Sequence, residues 1–143
     1  MAETLKAWEG SLLLNRYYEK VGRAAAGIGT CPRFTTFKAG YGFVDEDVPD
    51  GEVPTILTVP ADLEEVPSVF YSGNVVASYS NGSTLCQCTI PEAGVSTPKK
   101  CSVIGVYDQD AELVAVCVTL PDWVTPSEQY TAYPSINFPL KEV

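Results

Sequence analysis

Ser102-Val103-Ile104-Gly105-Val106-Tyr107, then Asp108-Gln109-Asp110, then Leu113-Val114-Ala115-Val116-Cys117-Val118, is the stretch that decides the fold. Both arms are apolar and rich in β-branched residues, and a short polar connection joins them, which is the pattern of an antiparallel hairpin. Gly105 predicts a close backbone approach inside the first arm, and the turn at Asp108 sets the register of Leu113 and Val116. Upstream, Val69–Tyr79 reads as a strand interrupted near Gly73-Asn74. Asn81-Gly82 is a tight-turn signal, and Thr84–Ile90 returns beside that strand as a further hairpin. Arg33–Ala39 is short and β-prone. Downstream, Pro121, Pro126 and Pro134 read as turn signals, with Tyr130, Tyr133, Ile136 and Phe138 interspersed.

A helix is expected once, from Ser11 to Ala26. Leu13, Tyr17, Val21 and Ala24 recur at helical spacing and draw one apolar stripe, which Leu5 and Trp8 extend upstream. Ser11 reads as the N-cap, Gly27 as the closing residue, and Lys20 and Arg23 sit near the negative end of the dipole. The fold class that follows is α+β, mostly antiparallel β and sandwich-like, with one N-terminal helix. Residues 1–143 make a single domain: a helical segment at 1–30, then a β domain at 31–143 with an acidic, proline-bearing excursion at 44–67.

The chain has 143 residues, net charge −9 and no histidine. The missing histidine excludes Ser-His-Asp and Cys-His nucleophile pairs and His-ligated zinc, so no enzyme activity is expected. The charge is uneven. Residues 1–38 carry six basic and three acidic side chains, whereas residues 39–98 carry nine acids and no Lys or Arg. Such a surface repels phosphate backbones, so no nucleic-acid partner is expected. Met1–Lys6 lacks the pattern of a secretory signal, and no apolar run approaches the ~20 residues of a spanning helix, so no membrane partner is expected either. The odd count of five cysteines suits reduced thiols made in a cytoplasm.

Four groupings invite a chemical reading. Cys86-Gln87-Cys88 places two sulfurs on one strand face, but the spacing is too tight for a structural zinc site and buried free thiols are the expectation. The run Asp45, Glu46, Asp47, Asp50, Glu52 has the flavour of a calcium loop. Pro49 and Asp50, however, stand where a ligand and the turn glycine belong, so the run reads as a solvated loop or a surface for a basic partner. Tyr41, Phe43, Tyr130, Tyr133 and Phe138 suggest a sugar platform, against which core or sheet-edge packing is the favoured reading. Gly40-Tyr41-Gly42 lacks the Lys-Ser/Thr ending and the helix of a phosphate loop. No cofactor and no metal is expected.

The order of elements resembles the phage tail-collar fibre proteins. The matching pieces are a helix leading to Phe37-Lys38-Ala39-Gly40-Tyr41-Gly42, the segment Pro54-Thr55-Ile56-Leu57-Thr58, and the turn Ile90-Pro91-Glu92-Ala93-Gly94. The fourth is Ile104-Gly105-Val106-Tyr107-Asp108 with Glu112-Leu113-Val114-Ala115-Val116, which looks like the family's Ile-Gly-Leu-Tyr/Phe-Asp and Gly-Leu-Ile-Ala-Val hairpin. Here Val103 stands in place of an acid, Ala111-Glu112 in place of the turn glycine, and Gly-Tyr-Gly in place of Gly-Asp-Gly.

The resemblance implies a structural virion protein of the tail, a collar, baseplate or fibre adaptor, that attaches an appendage by protein–protein contact. A small carbohydrate-binding β module is the alternative. Implied partners are the chain itself, as a trimer or hexameric ring, and other tail proteins. Expected contact residues are Leu13, Tyr17 and Val21 of the helix and Tyr130, Tyr133 and Phe138 of the late aromatic strand. The mildly basic N-terminal region of one copy is expected to meet the acidic loop of the next.

Overall fold

The computed structural model describes residues 4–8 and 11–138. Among them the elements run β1 (Thr4–Trp8), β2 (Leu12–Leu13), α1 (Asn15–Ala25), β3 (Thr36–Gly40), β4 (Val44–Asp45), β5 (Thr55–Ile56), β6 (Tyr71–Ser80), β7 (Ser83–Ile90), β8 (Lys99–Tyr107), β9 (Leu113–Val124) and β10 (Tyr130–Asn137). One sheet has the order β1-β10-β7-β6-β3-β8-β9-β2, and β4 pairs β5 separately. All its pairings are antiparallel except β1 with β10. The sheet curls into a half-barrel whose far strands approach one another, so the facing layers are arms of a single sheet. This is the expected α+β, mostly antiparallel class.

The hairpin β8–β9, near one end of the sheet order, holds the sheet's most deeply buried strands. Ile104 lies opposite Cys117, Gly105 opposite Val116 and Tyr107 opposite Leu113. Its apolar runs are continuous because both faces are covered. One face, with Ile104, Val106, Ala115 and Cys117, packs against Phe37, Cys86, Cys88 and Ile136. The other, with Val103, Leu113 and Val116, lies beneath Val66, Val59 and Leu63. The excursion 44–67 is therefore not wholly outside the core: its second half straps the sheet. The strap needs glycines to seat. A Cβ on Gly105 would stand 2.6 Å from Leu113 and collide with Val66, and one on Gly42 would stand 2.6 Å from Pro67. The Gly-Tyr-Gly is thus a backbone seat for the strap, which Tyr41 reinforces by donating its N–H to the Pro67 carbonyl at 3.2 Å.

The expected interruption at Gly73-Asn74 is a change of partner. Residues 71–74 of β6 pair β3, and residues 75–80 pair β7. Asn81 and Gly82 both take positive φ, 48° and 85°, as a two-residue hairpin turn requires.

The N-terminal expectations need correction. Thr4–Trp8 is a strand paired with β10, so Leu5 and Trp8 extend no helix. The helix begins at Asn15, because Leu12 and Leu13 are drawn into β2 against Val116 and Ala115, and Leu14 donates its N–H to the Val114 carbonyl at 3.0 Å. Leu14, not Ser11, holds the N-cap position, with no side-chain cap. The strap supplies what the cap lacks, as the Ala61 carbonyl accepts the Asn15 N–H at 2.9 Å. Gly27 closes the helix as expected, at φ 82°, with the Ile28 N–H on the Arg23 carbonyl. Pro121 and Pro134 lie inside β9 and β10 rather than in turns. Pro121 falls at the bulge where β9 carries extra residues opposite Ser102.

Candidate functional site: an aromatic groove beside a free strand edge

The turn of the β8–β9 hairpin organises one end of the half-barrel. Asp108 is only 1% exposed. Its Oδ1 accepts the N–H groups of Asp110 and Glu112 at 3.0 and 3.1 Å, which shapes the turn. Its Oδ2 accepts from Lys20 Nζ at 2.6 Å. Lys20 also reaches Glu112 at 2.6 Å and Asp110 at 3.2 Å, while Arg16, one helical turn earlier, pairs with Glu112 and Glu64. Helix α1, which buries no residue completely, is thus fixed to the turn by charge. Burial works to lower the Lys20 pKa, but hydrogen bonds to Asp108, Glu112 and Asp110 outweigh it and raise the pKa. The Lys20 hydrogen bond likewise holds the Glu112 carboxyl below its ordinary range.

Gln109 extends the same turn to the segment before β3. Its Nε2 donates to Thr30 Oγ1 and the Cys31 carbonyl at 3.1 and 3.3 Å, and its Oε1 accepts the Arg33 N–H at 2.9 Å. Chain 30–33 is pinned to the hairpin turn and leaves the side of β6. The last contact of that approach is Val75 N–H to the Thr35 carbonyl at 2.9 Å.

Between them lies a groove of about 510 Å³ lined by Tyr17, Arg33, Phe34, Ala77, Tyr79 and Phe138, among others. Phe34 and Phe138 stack with centroids 6.3 Å apart and 12° between ring planes. Tyr17 leans on both, at 6.1 and 6.0 Å. Burial raises the Tyr17 pKa above its ordinary value. Tyr79 on the opposite wall is 63% exposed and accepts the Gly82 N–H at 3.0 Å, bracing the hairpin tip.

Of the expected contact residues, the structure brings Tyr17 and Phe138 together here. Val21 is half-buried on α1, and Tyr133 is half-buried on β10. Leu13 and Tyr130 are buried core residues, unavailable to a partner. The five aromatics of the sugar platform are dispersed: Tyr130 is in the core, Phe43 packs beneath the strap, and Tyr41 bonds Glu46. Phe34 and Tyr79 were not singled out from sequence. The signal for them is the mismatch between a long strand, Val69–Tyr79, and the short stretch Arg33–Ala39 beside it.

The acidic run forms a flap closed by the β4–β5 pairing, Val44 opposite Ile56. Glu46 is held by Lys100 at 2.9 Å, and the hydrogen bond from Tyr41 and that from Lys100 keep its pKa below the ordinary value. Asp45 accepts the Asp47 N–H, and Asp47, Asp50 and Glu52 are exposed. Cys86, Cys88, Cys101 and Cys117 are free and buried, as expected, and Cys31 is exposed. Burial pushes the Cys86 and Cys101 thiols up to about 12. Among the described residues no His/Cys/Asp/Glu group has metal-holding geometry. No family model matches this sequence, and comparison with curated proteins and with solved structures finds no match.

Proposed function

We propose that this chain is a non-catalytic structural protein of a phage tail, a collar, baseplate or fibre adaptor that works by protein–protein contact. The observation that carries this reading is the aromatic groove, an open apolar surface built from helix, strand and loop around a rigid turn. Exposed Val53, Ile56 and Leu57 on the flap add a further uncovered apolar surface. The resemblance of the β8–β9 hairpin to tail-collar fibre proteins supplies the setting: made in the host cytoplasm, then incorporated with copies of itself and with other tail proteins. The carbohydrate reading draws less support, because the aromatics nominated for it are dispersed.

Quantitative mass spectrometry of purified phage particles that encode this chain tests the reading. The chain is expected in several copies per particle, in the tail fraction after mild disruption. Its absence from particles overturns the reading, as does saccharide binding on a glycan array without any self- or tail-protein association.

A further inference from the structure

We infer that the groove is a strand-addition site, and that its occupant is the acidic flap of a second copy of this chain. This rests on the reading of the chain as an assembly subunit and specifies how the copies join.

The free edge follows from hairpin geometry. Ser80 and Ser83 flank the two-residue turn and form a hydrogen-bonded pair, so Ser80, Ser78 and Val76 direct their backbone groups to β7. Ala77 and Tyr79 therefore direct theirs away from it. The Val75 N–H on the Thr35 carbonyl fixes this phase. β3 pairs β6 only through residues 71–74, and Gln109 holds chain 30–33 elsewhere. Among the described residues nothing pairs with Ala77 or Tyr79 on that side. An extended peptide laid there gains main-chain hydrogen bonds from the edge and apolar contact from Phe34 and Phe138.

The flap has the complementary chemistry. Gly51-Glu52-Val53 and Thr55-Ile56-Leu57-Thr58 are exposed, with Val53 at 65%, while Pro54 is half-buried. Arg33 is exposed and, among the described residues, is the one charged side chain lining the groove, and Glu52 beside Val53 carries the opposite sign. Flap and groove also sit at opposite ends of the molecule. The flap follows the end of β3, opposite Tyr71, whereas Ala77–Tyr79 lies six to eight residues further along β6, about 20–25 Å away at ~3.3 Å per residue. A copy therefore presents its flap to a neighbour's groove rather than to its own. Such a contact is head-to-tail, closing into a ring where the rotation allows it.

Analytical ultracentrifugation of the purified full chain and its variants is the test. Ala77→Pro removes the outward N–H without touching the β6–β7 ladder, Arg33→Glu reverses the groove charge, and Val53→Asp spoils the flap. Each is expected to weaken self-association at least about tenfold, as loss of a central contact does. Mixing Ala77→Pro with Val53→Asp is expected to restore a one-to-one complex that grows no further. The double variant Arg33→Glu, Glu52→Arg is expected to regain association. Folded Arg33→Glu and Val53→Asp proteins that associate like the parent overturn the inference, as does a mixture that forms no complex. Association lost in these variants by a protein absent from phage particles keeps the strand-addition inference and overturns only the tail assignment.

Discussion

Asp108 is a buried carboxylate inside a chain of net charge −9, and its three hydrogen bonds explain why it is tolerated. Two come from its own turn, and one comes from a lysine eighty-eight positions earlier. Lys20→Met removes the distant partner and leaves the carboxylate with backbone donors alone. The expected cost is about 2 kcal/mol in urea unfolding, because the remaining charge stays buried. The sign of the pH dependence follows from Glu112. Its pKa is lowered in the folded state, so its contribution is present above the unfolded carboxyl value and lost as pH falls below about 4. Lys20 has a raised pKa, so its contribution persists up to the alkaline range. The loss of stability between neutral pH and acid is expected to be shallower in Lys20→Met than in the parent. Ala111 makes the opposite kind of prediction. It takes φ 60°, in the left-handed region that favours glycine. Ala111→Gly is expected to stabilise the fold by about 1 kcal/mol, measured by the same unfolding curves, because glycine adopts that conformation without strain.

At the scale of elements, the strap across β8–β9 depends on the backbone approaching closely at Gly40, Gly42 and Gly105. A Cβ on Gly40 would collide with the Pro67 carbonyl and lie 2.8 Å from Val66. Gly40→Ala is expected to lower stability by about 1–3 kcal/mol, read from the thermal or urea midpoint, as overpacking does. The facing layer gives a chemical readout of burial. A neutral thiol reagent is expected to modify Cys31 alone in the native protein, and all five cysteines after unfolding. Much of this was legible in the sequence. Continuous β-branched runs marked β8–β9, Asn81-Gly82 marked the tip of β6–β7, and Gly27 marked the helix end. The N-terminal strands were not legible, because Leu12-Leu13 fits helical spacing and becomes a strand only through pairing with residues about a hundred positions away. Nor was the groove: Tyr17, Phe34 and Phe138 meet through Gln109 and Lys20, whose partners are equally remote in sequence.

At the scale of the molecule, the charge acquires an address. Asp108, Asp110 and Glu112 are engaged by Lys20 and Arg16, and Glu46 by Lys100. Asp47, Asp50 and Glu52 remain exposed on a flap beside uncovered Val53, Ile56 and Leu57. At the opposite end Arg33 borders an aromatic groove with an open strand edge. The proposed account is therefore one of polarity, an acidic apolar flap at one end and its receptor at the other. Sedimentation equilibrium of the unmodified chain over a dilution series, at low and at high salt, tests it most directly. The account predicts a concentration-dependent oligomer whose association weakens as salt screens the Arg33–Glu52 attraction. A chain that stays monomeric at every concentration and salt would contradict it.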